Sequence, residues 1–211
     1  TDIFYESKIF TFSPDFNYYP VGAKIFRGGT GIDVKSQLPT EIESITELDY
    51  SLYHDCDYSI QFLSRGCIRK CPFCVVPIKE GIIHQVKPLE LNPNGKWVML
   101  LDNNLFACPQ WRENIEILRS YNQPISFTQG LDLRIMTEEM AKALSTVKIK
   151  QVYVAWDNYE DKDIVLHGLD ILLKYIKPYK ITCYCLVGFK QPYVINEDLE
   201  RVLTLKDLGV N

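Results

Sequence analysis

From residue 59 onward, short apolar runs alternate with longer stretches of helical periodicity, and this rhythm limits the fold more than any other feature. Residues 59–64, 97–101, 125–128, 151–156 and 181–187 read as strands. Between them, residues 114–121 belong to a helix with Trp111, Ile115 and Leu118 on one face. Thr137 is placed to cap the next helix, with Glu138 and Glu139 favourably charged in its first turn. Residues 161–176 form a third helix with Ile164, Leu169, Leu172, Leu173 and Ile176 inward, stopping ahead of Pro178. Asn196 caps a last helix carrying Leu199, Val202 and Leu203, closed by Gly209. The strands look apolar on both faces, as strands covered by helices should. Strand–helix alternation of this kind calls for an α/β fold with a parallel sheet and right-handed crossovers. Five strands predict an open, partial βα barrel over residues 58–211, and a sixth strand would be the natural continuation, so this core reads as truncated at its C-terminus.

Residues 1–57 read differently. Ile3-Phe4-Tyr5 and the run from Lys8 to Phe12 are β-prone, and Arg27-Gly28-Gly29-Thr30-Gly31 reads as turn or loop. The segment resembles the end of a smaller α/β unit followed by a linker. The first residue is Thr1 and no secretory signal is visible, so the chain reads as beginning inside a longer protein. Hydrophobic residues at 46% and charged residues at 24% exclude a disordered or collagen-like chain. The net charge, 23 − 27 = −4, gives no indication of a nucleic-acid partner. The longest apolar runs are far too short to span a membrane.

In such folds the chemistry sits in loops after the carboxyl ends of the strands. The loop after the first strand reads Arg65-Gly66-Cys67-Ile68-Arg69-Lys70-Cys71-Pro72-Phe73-Cys74, with cysteines spaced C-x3-C-x2-C. Three thiolates from one short loop can hold three corners of a cubane iron–sulfur cluster, leaving the fourth iron open. Arg65, Arg69 and Lys70 would favour deprotonated thiols. Seven cysteines, an odd number with three inside eight residues, argue for a reducing, cytoplasmic setting rather than a disulfide framework.

This loop resembles that of the radical S-adenosylmethionine (SAM) enzymes, with Phe73 in the aromatic position before the last cysteine. The resemblance covers residues 58–211. It is closest to the branch with a cobalamin-binding-type domain ahead of the barrel, and the run Ser64-Arg65-Gly66-Cys67 is similar to that of methylthiotransferases. The resemblance implies that Cys67, Cys71 and Cys74 ligate a 4Fe-4S cluster whose open iron chelates SAM. One electron would then cleave the sulfonium to a 5′-deoxyadenosyl radical that abstracts hydrogen from a substrate of unknown identity. A low-potential donor of flavodoxin or ferredoxin type is implied. Cobalamin is compatible with the resemblance but is not indicated by any residue present. Where the family carries a Gly-Gly-Glu-like segment, this chain has Leu101-Asp102-Asn103-Asn104-Leu105. Asp102 and Asn103 are therefore expected to face the SAM amino group. Gln129, Asp132 and Arg134 are expected at its carboxylate and ribose, Asp157 and Asn158 on the same rim, and Gly188 at the adenine.

The competing reading is a non-catalytic binding module in which zinc is held by the trio with Cys56, His54 or His84. Only one C-x2-C knuckle occurs, which disfavours it. Cys183 and Cys185 share a strand face and read, like Cys56 and Cys108, as structural. Asp102, Asp132 and Asp157 could equally be helix caps. Trp97 and Trp156 read as core.

Overall fold

The computed structural model describes residues 2–189 and 194–211. The N-terminal segment holds β1 (Ile3–Ser7), which pairs in parallel with β2 (Lys24–Gly28), and the single turn α1 (Thr40–Glu43). Arg27 and Gly28 thus end a strand, and the expected turn begins only at Gly29. That residue has φ +94°, and a Cβ there would stand 2.3 Å from the Lys8 carbonyl oxygen, so only glycine fits. Among the described residues 2–57 only Gly28 is buried. The segment is held by polar contacts, such as Tyr19 and Arg27 both donating to the Glu6 carboxylate, and by ring contacts at its surface, such as Tyr5 stacked on Phe26 at 5.5 Å, rather than by a buried core of its own.

Next come β3 (Tyr58–Gln61), β4 (Ser64–Arg65), the turn α2 (Val76–Lys79) and β5 (His84–Gln85). They are followed by β6 (Trp97–Leu100), α3 (Trp111–Ser120), β7 (Ile125–Leu131), α4 (Glu138–Ser145) and β8 (Ile149–Ala155). The chain ends with α5 (Lys162–Leu173), β9 (Ile181–Tyr184) and α6 (Ile195–Asp207). Strands β3, β6, β7, β8 and β9 form a five-stranded sheet in that order, every pair parallel. Each strand of the sheet is laid beside the one before it in the chain order, the commonest arrangement for successive parallel strands. The sheet is open, with β3 and β9 as its edges.

The strands are not buried on both faces. In β6, Val98 and Leu100 are buried while Trp97 and Met99 are half-buried, and β8 alternates in the same way. One face packs against the helices, with Leu118, Leu144, Leu169 and Leu172 fully or almost fully buried, each contributing about 1.5–3 kcal/mol. The other face carries Tyr153 stacked on Tyr184 at 5.2 Å between ring centroids and remains partly open.

Helix starts and faces follow local chemistry with two exceptions. The Thr137 hydroxyl does cap α4, accepting from the Met140 N–H. The expected inward Ile164 is instead 47% exposed. The buried line of α5 runs through Val165, Leu169, Leu172 and, beyond the helix, Ile176, so Ile164 falls beside it. In α6 the cap is Val194, with Asn196 one residue inside the helix. Leu199, Val202 and Leu203 are exposed, and the inward residues are Arg201 and Leu205. The buried Arg201 guanidinium donates to the carbonyls of Trp156 and Leu186 and pairs with Asp198. Satisfying those buried carbonyls overrides the apolar pattern of the helix.

Candidate functional site

The strand expected over 59–64 ends at Gln61, and the chain turns into the two-residue β4, which pairs antiparallel with β5. This hairpin frames the cysteine loop. Gly66 sits at φ +84°, where a Cβ would lie 2.6 Å from the Ile82 carbonyl oxygen. The Gly66 N–H donates to Glu80 at 2.9 Å and the Cys67 N–H to the Gly81 carbonyl at 3.2 Å. Cys74 N–H closes a turn on the Cys71 carbonyl at 3.0 Å. The loop is thus pinned at its first cysteine and folded back at its last.

Cys67, Cys71 and Cys74 open on one cavity of about 250 Å³. Phe73, Asn103, Asn104, Gln129, Asp132, Arg134, Ala155 and Asp157 also line it. Strand β7 reaches this rim through an irregularity: Phe127 faces Val152, but Leu131 faces Val154. Two extra residues are accommodated there, with Gly130 at φ +96°, and the resulting bulge exposes Gln129. Phe73 meets Phe189 edge-on at 5.3 Å.

Charge in the cavity is closely paired. Asp132 accepts from Arg69 and Arg134, each Nε at 2.8 Å. Burial by itself would raise the Asp132 pKa, but the bonds from the two guanidinium groups outweigh it and hold it below the usual carboxylate value. Burial works against the Arg134 cation too, and Asp132 and Asp161 overcome that and raise its pKa. Asp132 also caps the short turn that follows, accepting from the Arg134 N–H. Asp157 is pushed up by burial, partly offset by a backbone hydrogen bond from Leu186. The Cys67 sulfur accepts from the Arg69 N–H at 3.3 Å and from Asn104 Nδ2 at 3.8 Å. Asn104 Oδ1 is buried with no partner.

The expected electrostatic role of Arg65 and Arg69 needs correcting. Arg65 pairs with Glu80 at 2.8 Å, and Arg69 pairs through its Nε with Asp132. Burial pushes the Cys71 thiol up, and the cation that opposes this is Arg134. Two expected SAM contacts also lie elsewhere. Asp102 is buried behind the cavity wall, where its oxygens accept from the N–H groups of Leu63 and Ser64 and from the Ser64 hydroxyl. Gly188 lies beyond the end of β9, which stops at Tyr184, and lines a separate cavity of about 30 Å³ with Asn158. Asp157 borders both cavities.

Glu80 is the residue that sequence reasoning missed. Its carboxylate joins Arg65, the Gly66 N–H and Asn103 Nδ2, the last at 2.7 Å, and so couples the cysteine loop to the end of β6. Nothing in its local sequence marks it out. The other cysteines sit apart from the trio. Cys108 is buried with its Sγ 3.4 Å from Gln110 Oε1, and Cys56 donates to the Tyr58 carbonyl at 3.4 Å. Cys183 and Cys185 act on each other, which raises the first thiol and lowers the second, and the Cys183 Sγ stands 3.7 Å from the Tyr184 carbonyl oxygen.

All seven cysteines are free thiols. Among the described residues no three His, Cys, Asp or Glu side chains are arranged to close around a single metal ion. No helix among them is long and apolar enough to cross a membrane. No protein-family model matches the chain, and no curated protein matches it. The fold and the site thus define a parallel α/β protein with a cysteine-lined cavity at the carboxyl end of its sheet.

Proposed function

We propose that the chain is a radical SAM enzyme that reductively cleaves S-adenosylmethionine and uses the product for hydrogen abstraction. The observation that carries this reading is the convergence of Cys67, Cys71 and Cys74 on a cavity whose other walls are the strand ends bearing Gln129 and Asp157. A cubane binds each thiolate to a different iron, so its ligands stand further apart than those around one ion. Cys67, Cys71 and Cys74 bring three sulfurs to one cavity, the number such a group needs from the protein, and the orphaned Asn104 Oδ1 offers it or its ligand a polar neighbour.

When bound, the cluster and SAM together supply a reductive route to a carbon radical able to attack an unactivated C–H bond. The chain's own residues bind and orient. Cys67, Cys71 and Cys74 hold the metal. Arg69 keeps guanidinium N–H groups beyond its Nε bond to Asp132 and suits the SAM carboxylate. Asn103, fixed by Glu80, together with Gln129 and Asp157 provides acceptors for the ammonium and ribose hydroxyls. Asp132, with both oxygens committed to arginines, acts by positioning them. A flavodoxin- or ferredoxin-type protein is the proposed electron source, and the described N-terminal segment adds no residue to the cavity lining.

The test is anaerobic purification and reconstitution, followed by iron and sulfide analysis and assay for 5′-deoxyadenosine after reduction. About four irons and four sulfides per chain, with SAM cleavage on adding dithionite, are expected. One tightly held zinc without sulfide would overturn the reading in favour of a metal-stabilised binding module.

A further inference from the structure

A second cavity lies on the other side of the cysteine hairpin. It measures about 750 Å³ and is bounded by the end of β1 and the Gly29 turn on one side and by β4, β5 and the end of α2 on the other. That volume is within the usual range for small-molecule sites, roughly 300–1,000 Å³.

Its charge is unlike that of the acidic chain as a whole. Arg65, Lys79 and Lys87 line it against Glu43 and Glu80. Glu80 is already paired with Arg65, and Glu43 accepts from the Leu38 N–H at 3.0 Å. Among the described residues neither Lys79 nor Lys87 has an ion-pair partner. Two uncommitted ammonium groups therefore share one concave space, together with the hydroxyls of Ser7, Ser44 and Thr46. Lysine with hydroxyl donors is a combination that takes phosphate oxygens well.

We propose that this cavity binds a phosphorylated small molecule carrying at least two negative charges, with Lys79 and Lys87 as its principal contacts. The inference is independent of the metal reading, since no cysteine lines this space. Through Arg65 and Glu80 the ligand would sit one side chain away from the Gly66–Cys67 backbone.

The probe is inorganic tripolyphosphate, which lacks any adenine that could engage the cysteine-lined cavity. It is titrated calorimetrically into the full chain at low ionic strength. One site per chain is expected, weakened about tenfold by Lys79→Ala and about tenfold by Lys87→Ala, a typical loss for a charge-assisted hydrogen bond. Lys206→Ala, on α6, should leave affinity unchanged. Both target lysines lie outside the core, and unchanged thermal midpoints would confirm that the variants fold. No binding, binding indifferent to Lys79 and Lys87, or equal weakening by Lys206→Ala would each overturn the proposal.

Discussion

The Asp102 carboxylate accepts hydrogen bonds from both the backbone N–H and the hydroxyl of Ser64, the N–H at 2.6 Å. A third bond comes from the Leu63 N–H at 3.0 Å. The acid at the end of β6 thereby fixes the point at which the chain leaves β3 and enters the cysteine loop. Its cost is desolvation: burial pushes the Asp102 pKa up to about 6 from an ordinary 3.8, with the Ser64 and Leu63 bonds opposing.

A pH signature follows for Asp102. Because its folded pKa exceeds the unfolded value, the folded state binds the extra proton between about pH 4 and pH 6, and stability from this group falls as pH rises through that window. The loss is on the order of 3 kcal/mol. Asp132, held below its usual value, contributes in the opposite sense, losing stability as pH falls, and is present in both proteins compared. Urea unfolding at pH 4 and pH 7 should show the wild-type advantage over Asp102→Asn shrinking at the higher pH. A difference constant with pH would contradict the assignment.

On the proposed reading, Cys71→Ala should abolish iron retention and SAM cleavage, since a trio that loses a corner could not hold a cluster. Cys183→Ala should leave iron content intact, because its thiol does not line the cavity. Iron and sulfide analysis of both variants decides this, and equal loss would refute it.

Backbone geometry makes Gly66 and Gly188 an informative pair. Both have positive φ, but a Cβ on Gly66 would lie 2.6 Å from the Ile82 carbonyl oxygen whereas one on Gly188 would meet none of the described residues within 4 Å. Gly66→Ala should cost about 1–3 kcal/mol or more and reduce retained iron. Gly188→Ala should cost only about 1 kcal/mol and leave iron unchanged. Thermal melts with iron analysis distinguish them.

Arg201 is only 2% exposed and serves two backbone carbonyls as well as Asp198. Arg201→Leu should destabilise the protein by about 1–3 kcal/mol, because it takes the guanidinium away from Asp198 and from two backbone carbonyls. A loss below about 1 kcal/mol on denaturant unfolding would show that water replaces the guanidinium without penalty.

The legible part of the site was the part encoded at short range. The three cysteines and Phe73 lie in one eight-residue run, and Gln129, Asp132, Arg134 and Asp157 each lie at or just past the end of an apolar run that announced its strand. Asp102 follows a strand as well, yet it turns inward, because two N–H groups and a hydroxyl 38 and 39 residues earlier need an acceptor. Glu80 was invisible for the same reason, since its partners Arg65, Gly66 and Asn103 are brought together only by the hairpin.

By itself the sequence determined the order of the five parallel strands and the helices between them, the Thr137 cap and the clustering of three cysteines in one loop, because periodicity, capping and residue spacing act between near neighbours. Tertiary structure decided which sheet face stays open, which face of α6 turns inward, and where each charge is spent. Those outcomes depend on partners far apart in sequence, as when Arg69 meets Asp132 across 63 residues. Only the folded chain fixes such distances, and ion-pair and hydrogen-bond energies fall off too steeply with distance to be assigned before it does.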